Sequence, residues 1–374
     1  MTTSTPRRAA FATAIAAVLC CAAAHAGEGP RYHLDLLPVT DASLVVVKDI
    51  NDAGQIVGTF FDQDFVKHAV LWDATGWHQL AAPSGEEVHG IAYAINNHGQ
   101  IAGYADTSEA SPGLLWNAAT PDQYTLLTTD PIVVAIPNDI NDDGVIVGLK
   151  GGFQTGEKFH PFSWTAQGGV VDYGTPDTTD TAQNAIWSGI NNSGKIVGGW
   201  NYTRQIYHAT RGQLGTASVN VFNEDSDAVE SFISAINEKG VGVGYADLGA
   251  PRGPMGAIFN TDGTIEAIPD SQLGSDGGYA MKINEDGVIV GKAHNLNTPS
   301  GFKAWVHVDG QTWDLFQQVD STTGFDYFID AVAINNAGVI VGTGRLTDGS
   351  TASFRLTPIR GDAIFANGFE TAVP

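Results

Sequence analysis

The groups in this 374-residue chain that could do chemistry are mainly carboxylates and aromatic rings. Asn223, Glu224, Asp225 and Asp227 place four oxygen donors within five residues, a density that suits calcium, which prefers carboxylate and carbonyl oxygens. Glu86-Glu87, or Asp225 with Asp227, supply the two acids a glycosidase needs, provided the fold holds them roughly 5 or 9 Å apart. Trp200, Tyr202 and Tyr207 add flat rings to acids such as Asp326. Rings stack on sugar faces while carboxylates take the hydroxyls, and the same mixture suits a basic protein partner. These residues also read as loop polarity that keeps a chain in solution. The motifs of the common enzyme classes are missing: there is no G-x-S-x-G elbow, H-E-x-x-H pair, phosphate-binding loop or D-x-D-x-D-G calcium loop.

Charge and cysteine usage narrow the field. With 18 basic and 41 acidic residues, the surface repels nucleic acid and anionic lipid. The chain opens MTTSTPRR, continues through the uncharged stretch Ala9 to Ala24 and reaches Ala24-His25-Ala26, which predicts a secretory leader over 1–26, cleaved after Ala26 to leave an extracellular or periplasmic chain. The Arg7-Arg8 pair lacks the spacing of a twin-arginine signal, so ordinary export is expected. Cys20 and Cys21 lie inside the leader, so the mature chain has no disulfide, no thiolate nucleophile and no cysteine-bound zinc. No later apolar run approaches the roughly 18 residues of a membrane helix.

What positions the candidate groups is a repeat. DINDAGQIVG, Asp49 to Gly58, returns as AINNHGQIAG, DINDDGVIVG, GINNSGKIVG, AINEKGVGVG, KINEDGVIVG and AINNAGVIVG, with its asparagine at 51, 96, 141, 191, 237, 284 and 335. Spacings of 45 to 51 residues match one four-stranded propeller blade per copy. The asparagine and the glycine three residues later fit a hairpin turn in which the glycine takes positive φ and the asparagine side chain bonds back to the turn. A second glycine, at 58, 103, 148, 198, 244, 291 and 342, sits inside the following strand, which marks a bulge or another backbone passing close, a need that packed neighbouring sheets would create.

A second hairpin follows each phrase, as in HAVLWDATGWHQL at 68–80, with one large ring per copy at Trp72, Trp116, Trp164, Phe259, Trp305 and Phe354. These rings read as core. The fourth copy, YHATRGQLG, lacks one, so that blade is expected to be the least regular. The seventh copy supplies three strands, and YHLDLLPV, Tyr32 to Val39, supplies the missing fourth. The expected fold is therefore all-β: a seven-bladed β-propeller over 27–358, closed by an N-terminal velcro strand, with a tail at 359–374.

The phrase IN-x-x-G-x-(I/V)-(V/A)-G, followed by His68-Ala69, His160-Pro161-Phe162 or His208-Ala209, resembles the HAF-type extracellular repeat of bacterial secreted proteins over about Tyr32 to Pro358. The resemblance implies an exported repeat protein and carries no catalytic residues with it. Four copies lack the histidine, which argues against a shared metal ring. The tail GDAIFANGFETAVP resembles a short IFxxGFE ending of exported bacterial proteins and implies a sorting or processing segment.

In such a ring the Asn-x-x-Gly turns share one face, and the longer loops gather Glu86, Glu87, Trp200, Tyr202, Tyr207 and Asp326 on the other. The expected function is a secreted, monomeric, non-catalytic binding module that holds a glycan or protein on its long-loop face, with no required cofactor and calcium as the candidate ion. The alternative is a secreted carbohydrate-active hydrolase or lyase with a carboxylate pair at the channel mouth. A deep pocket with two facing carboxylates, one of raised pKa, would favour the enzyme.

Overall fold

The structure, a computed structural model, describes residues 29–83, 89–106, 111–128, 134–151, 158–174, 184–201, 207–214, 230–249, 253–270, 273–275, 277–322 and 324–359. Seven antiparallel sheets form a ring, one per repeat. In the first blade the strands Leu44–Ile50, Ile56–Phe61, Lys67–Asp73 and Gly76–Gln79 pair in chain order. The first strand of every blade touches the first strand of the next, which places these strands around the axis. The seventh blade is completed by Tyr32–Leu36, running antiparallel to Thr351–Pro358 with Tyr32 opposite Pro358 and Leu36 opposite Phe354. Arg355 clamps the seam through Asp35 at 2.8 Å, and Ser353 Oγ donates to the Val45 carbonyl of the first blade at 2.8 Å. The velcro closure read from the sequence is therefore present.

The core is divided into wedges. Seven clusters of buried apolar side chains each lie between two neighbouring blades. Val57, Ala69 and Leu71 of the first blade pack on Ile101, Leu114 and Trp116 of the second, while Ile56, Val70 and Trp72 face Ala333 and Val341 of the seventh. Alternation along each strand thus feeds two wedges, one on each face of the sheet, which is why the strands read as apolar on both faces.

The turn glycines take φ between 73° and 85° in all seven copies, as the hairpin requires. The second glycine does mark a bulge and a close backbone, but the backbone belongs to its own blade and not to a neighbouring one. Every first strand carries a β-bulge at the same place, seen where the register slips between Val47 and Asp49, Ala92 and Ala94, and at five equivalent points. The bulge drives a carbonyl of the same blade, such as that of Val46, Ile91 or Ile136, into the space where a Cβ on Gly58, Gly103 or Gly148 would stand.

Blade four shows three strands among the described residues, Asn184–Ile190, Lys195–Asn201 and Tyr207–Gln213. Gly212 pairs with Ile196 where Trp72 pairs with Ile56 in the first blade. Next to it, Arg211 reaches into the fifth blade and donates to the carbonyls of Gly240, at 3.3 Å, and Phe259.

Candidate functional site

The axis is lined by the repeated phrase, and each of its positions has its own role. Each phrase asparagine is buried and uses both ends of its amide. Its Oδ1 accepts the backbone N–H four residues on, at 2.9–3.0 Å, in all seven copies. Its Nδ2 donates to the backbone carbonyl of the equivalent asparagine in the next blade, from Asn51 to Asn96 and onward to Asn335, which donates back to Asn51, at 2.9–3.3 Å. The bonds close a ring.

The following residue makes a second ring. The backbone N–H of Asp52, Asn97, Asp142, Asn192, Glu238, Glu285 and Asn336 donates to the side-chain oxygen of its counterpart in the next blade at 2.7–3.0 Å. Four carboxylates and three amides therefore rim the turn-face mouth. Burial raises the Glu238 carboxyl, bonds from Asn192 and Ser193 lower it, and the charges of Glu285 and Asp142 raise it further.

Behind this rim lies a cavity of about 140 Å³. Asp49, Asp139 and Lys282 enter it from the position two residues before the asparagine, which elsewhere is alanine or glycine. Lys282 Nζ stands 3.2 Å from Asp49 Oδ1, and desolvation by the channel wall is outweighed by the two carboxylates, which hold the lysine charged. Burial raises the Asp139 carboxyl to about 6, against the pull of Lys282. Both acids also accept backbone N–H groups of the next blade, Asp49 from Ile95 at 3.1 Å and Asp139 from Ile190 at 2.9 Å.

The opposite mouth is aromatic. Tyr207, Phe232, Tyr245, Tyr279, His294 and Phe302 run across blades four to six in successive ring contacts, with centroids 5.0–6.1 Å apart. All six are half-buried, and each stands near the long-loop end of its strand. Tyr245 Oη donates to Glu230 Oε1 at 3.4 Å, and burial with the Glu230 charge raises the Tyr245 hydroxyl. Farther round, Lys48 lies 5.1 Å from the Tyr93 ring centroid, and Tyr93 packs on Tyr104, whose hydroxyl burial pushes up to about 12.

Of the residues singled out by sequence, Tyr207 opens the aromatic row and Asp326 is exposed at the start of the seventh blade's first strand. Trp200 requires a correction: it is 3% exposed and packed 5.4 Å from His208, so it offers packing rather than an open ring face. Glu86, Glu87, Tyr202 and the group Asn223, Glu224, Asp225 and Asp227 lie outside the described residues. His68 and His160 hold Asp62 at 2.9 Å and Asp172 at 3.1 Å, each within its own blade. No group of three or more metal-ligating side chains occurs among the described residues. Sequence reasoning missed Tyr93, Phe232, Tyr245 and Tyr279, which resemble core residues of a first or second strand. It also missed Asp49, Asp139 and Lys282, although their departure from alanine or glycine within a strict repeat was a usable signal.

No protein-family model matches the chain, and no curated protein matches it by sequence. Solved structures do. The β-propeller domain of the trilobed protease from Pyrococcus furiosus, described as having an open velcro topology, shares 12% identity at a TM-score of 0.52, over 84% of this chain and 95% of that one. YCF48 bound to D1 peptide shares 10% at 0.51, over 89% and 98%. A puromycin-hydrolysing peptidase of Mycobacterium tuberculosis shares 9% at 0.53, over 91% of this chain but 55% of that one, so the chain spans about half of the peptidase. At these identities the likeness establishes the propeller fold.

Proposed function

We propose that the chain is a secreted, monomeric, non-catalytic propeller of the HAF type, whose long-loop mouth holds a glycan or a protein partner. One observation carries this reading: six half-buried rings form an unbroken row across three blades at that mouth. Half-buried rings keep an apolar face available for stacking while their neighbours fix their orientation, so little freedom is lost on binding. The propeller YCF48, solved with a D1 peptide, supports a peptide or protein as one ligand class.

A carbohydrate-active enzyme remains as a second reading, because Asp139, raised to about 6, shares a channel with Asp49. Two facts weigh against it. A cavity of about 140 Å³ is below the roughly 300 Å³ of small-molecule sites. Both acids are also committed to Lys282 and to backbone amides of the next blade.

A glycan array and a pull-down, run with wild type, Tyr245→Ala and Tyr279→Ala, test the proposal. The variants should lose at least tenfold in affinity for whatever the wild type retains. Undiminished binding would remove the aromatic mouth from the reading, and glycan cleavage lost in Asp139→Asn would favour the enzyme.

A further inference from the structure

Among the described residues, Lys48 and Lys292 make no ion pair, in a chain that has a large excess of acid. Among the described residues Lys67, Lys150, Lys282 and Lys303 each lie within ion-pair distance of an aspartate. Lys48, Lys195, Lys239 and Lys292 do not: Lys195 is exposed, Lys239 donates to the Glu285 carbonyl, and the ammonium groups of Lys48 and Lys292 rest on rings. Lys48 Nζ is 5.1 Å from the Tyr93 centroid; Lys292 Nζ is 4.7 Å from that of Phe302 and 5.8 Å from that of Tyr279. The two charges are close enough to repel: burial pulls Lys48 below the ordinary lysine value and Lys292 lowers it further, against the pull of Asp330. That aspartate accepts from the Thr343 N–H at 3.0 Å and the Thr343 hydroxyl at 2.7 Å. A half-buried ammonium that rests on a ring face, with its nearest carboxylate bonded elsewhere, leaves hydrogen-bonding capacity unused and lowers stability.

Resting on the reading of the long-loop mouth as a binding site, we infer that it takes an acidic saccharide, a pyranose bearing a carboxylate, with the anion between Lys48 and Lys292 and the sugar face against the row ending at Tyr279 and Phe302. A uronate ring carries an apolar C–H face and a charge at its edge, which matches a surface of flat rings with point charges beside them. An acidic peptide fits less well, because it brings no continuous apolar ring face to the row of aromatic side chains.

The test titrates wild type, Lys48→Gln, Lys292→Gln and Tyr279→Ala with a uronate trisaccharide, its neutral hexose counterpart and hexaglutamate, by calorimetry and thermal shift. The uronate should bind wild type and lose about tenfold or more in each lysine variant. The neutral sugar should bind more weakly, with no change in those variants. Without ligand, Lys48→Gln should melt higher than wild type, because a poorly compensated ammonium is removed, and this readout does not depend on ligand binding. Uronate affinity unchanged in both lysine variants would overturn the inference, as would hexaglutamate binding equal to the uronate's with the same losses. Neutral sugar bound through Tyr279 with no preference for uronate would sink the acidic ligand and leave the binding site standing. No binding by any of the three probes would count against both.

Discussion

Replacing Asn96 by aspartate separates two accounts of why the repeat carries asparagine. If the side chain serves only its own turn, aspartate should be tolerated, because its oxygen accepts the Gln100 and His98 N–H groups, now 2.9 and 3.1 Å away, equally well. In the ring, Asn96 Nδ2 also donates to the Asn141 carbonyl at 2.9 Å and to Gln100 Oε1 at 2.8 Å. Gln100 can turn its amide to meet a carboxylate, but a backbone carbonyl cannot. Asn96→Asp would therefore remove a buried bond and set a charge against a carbonyl oxygen, at about 3–5 kcal/mol. Asn96→Ala, which loses both the turn and the ring bonds without adding charge, should cost about 2–4 kcal/mol. For a chain of this size the aspartate variant should melt about 4–7 °C lower in calorimetry. The introduced carboxyl would have a folded pKa above its unfolded value. Its deficit relative to wild type should therefore be small below about pH 4 and develop as pH rises through the folded pKa. An aspartate variant within about 0.5 kcal/mol of wild type at pH 7 would refute the ring as a source of stability.

Other perturbations reach other parts of the fold. Deleting Tyr32–Leu36 should expose the Thr351–Pro358 edge and cost several kcal/mol or cause aggregation, read by melting and light scattering. Gly103→Ala should cost about 3 kcal/mol or more in urea unfolding, because the Ile91 carbonyl occupies the Cβ space, and Gly144→Val should destabilise because its φ is 75°. Asp139, with a folded pKa of about 6 above its unfolded value, should lower stability as pH rises from about 4 to 6. Asp139→Asn should flatten that part of the melting curve and match or exceed wild type at pH 7.5; a lower melting point there would show that the charge is needed beside Lys282. Calcium titration by calorimetry, against an Asp225→Asn, Asp227→Asn double variant, should release heat only in wild type if those oxygens bind the ion.

The fold was legible because each copy states its own hairpin: the turn glycines, the second glycine and the spacing of 45 to 51 residues are local facts. The lone strand before the first copy and the strand missing from the seventh made closure readable too. The second bond of each asparagine was not readable, since its acceptor lies on a backbone 45 to 51 residues away, or 284 at the seam. Gly58 and its counterparts were readable as marks of a bulge or a close backbone, but not the source of that backbone, which is the same blade and not its neighbour, because the bulged residues Lys48, Tyr93 and Asn138 share no residue type. The aromatic mouth was half seen. Loop position drew attention to Trp200, whereas Tyr245 and Tyr279, which stand inside strands near their long-loop ends, carry the ring row between blades five and six.

The amide ring also has a sense of direction. Every asparagine donates forward and accepts from behind, so each repeat is complementary to itself only when copied whole and placed next in line. Such a circuit has no intrinsic first member. Asn335 to Asn51 is chemically the same joint as Asn96 to Asn141, although the chain reaches it only across the seam. A circularly permuted chain, joined through Tyr32 and opened between two other blades, should therefore rebuild the same seven joints. A chain lacking one repeat would leave a stranded donor facing a stranded acceptor across the gap, which lets the axis itself count the copies.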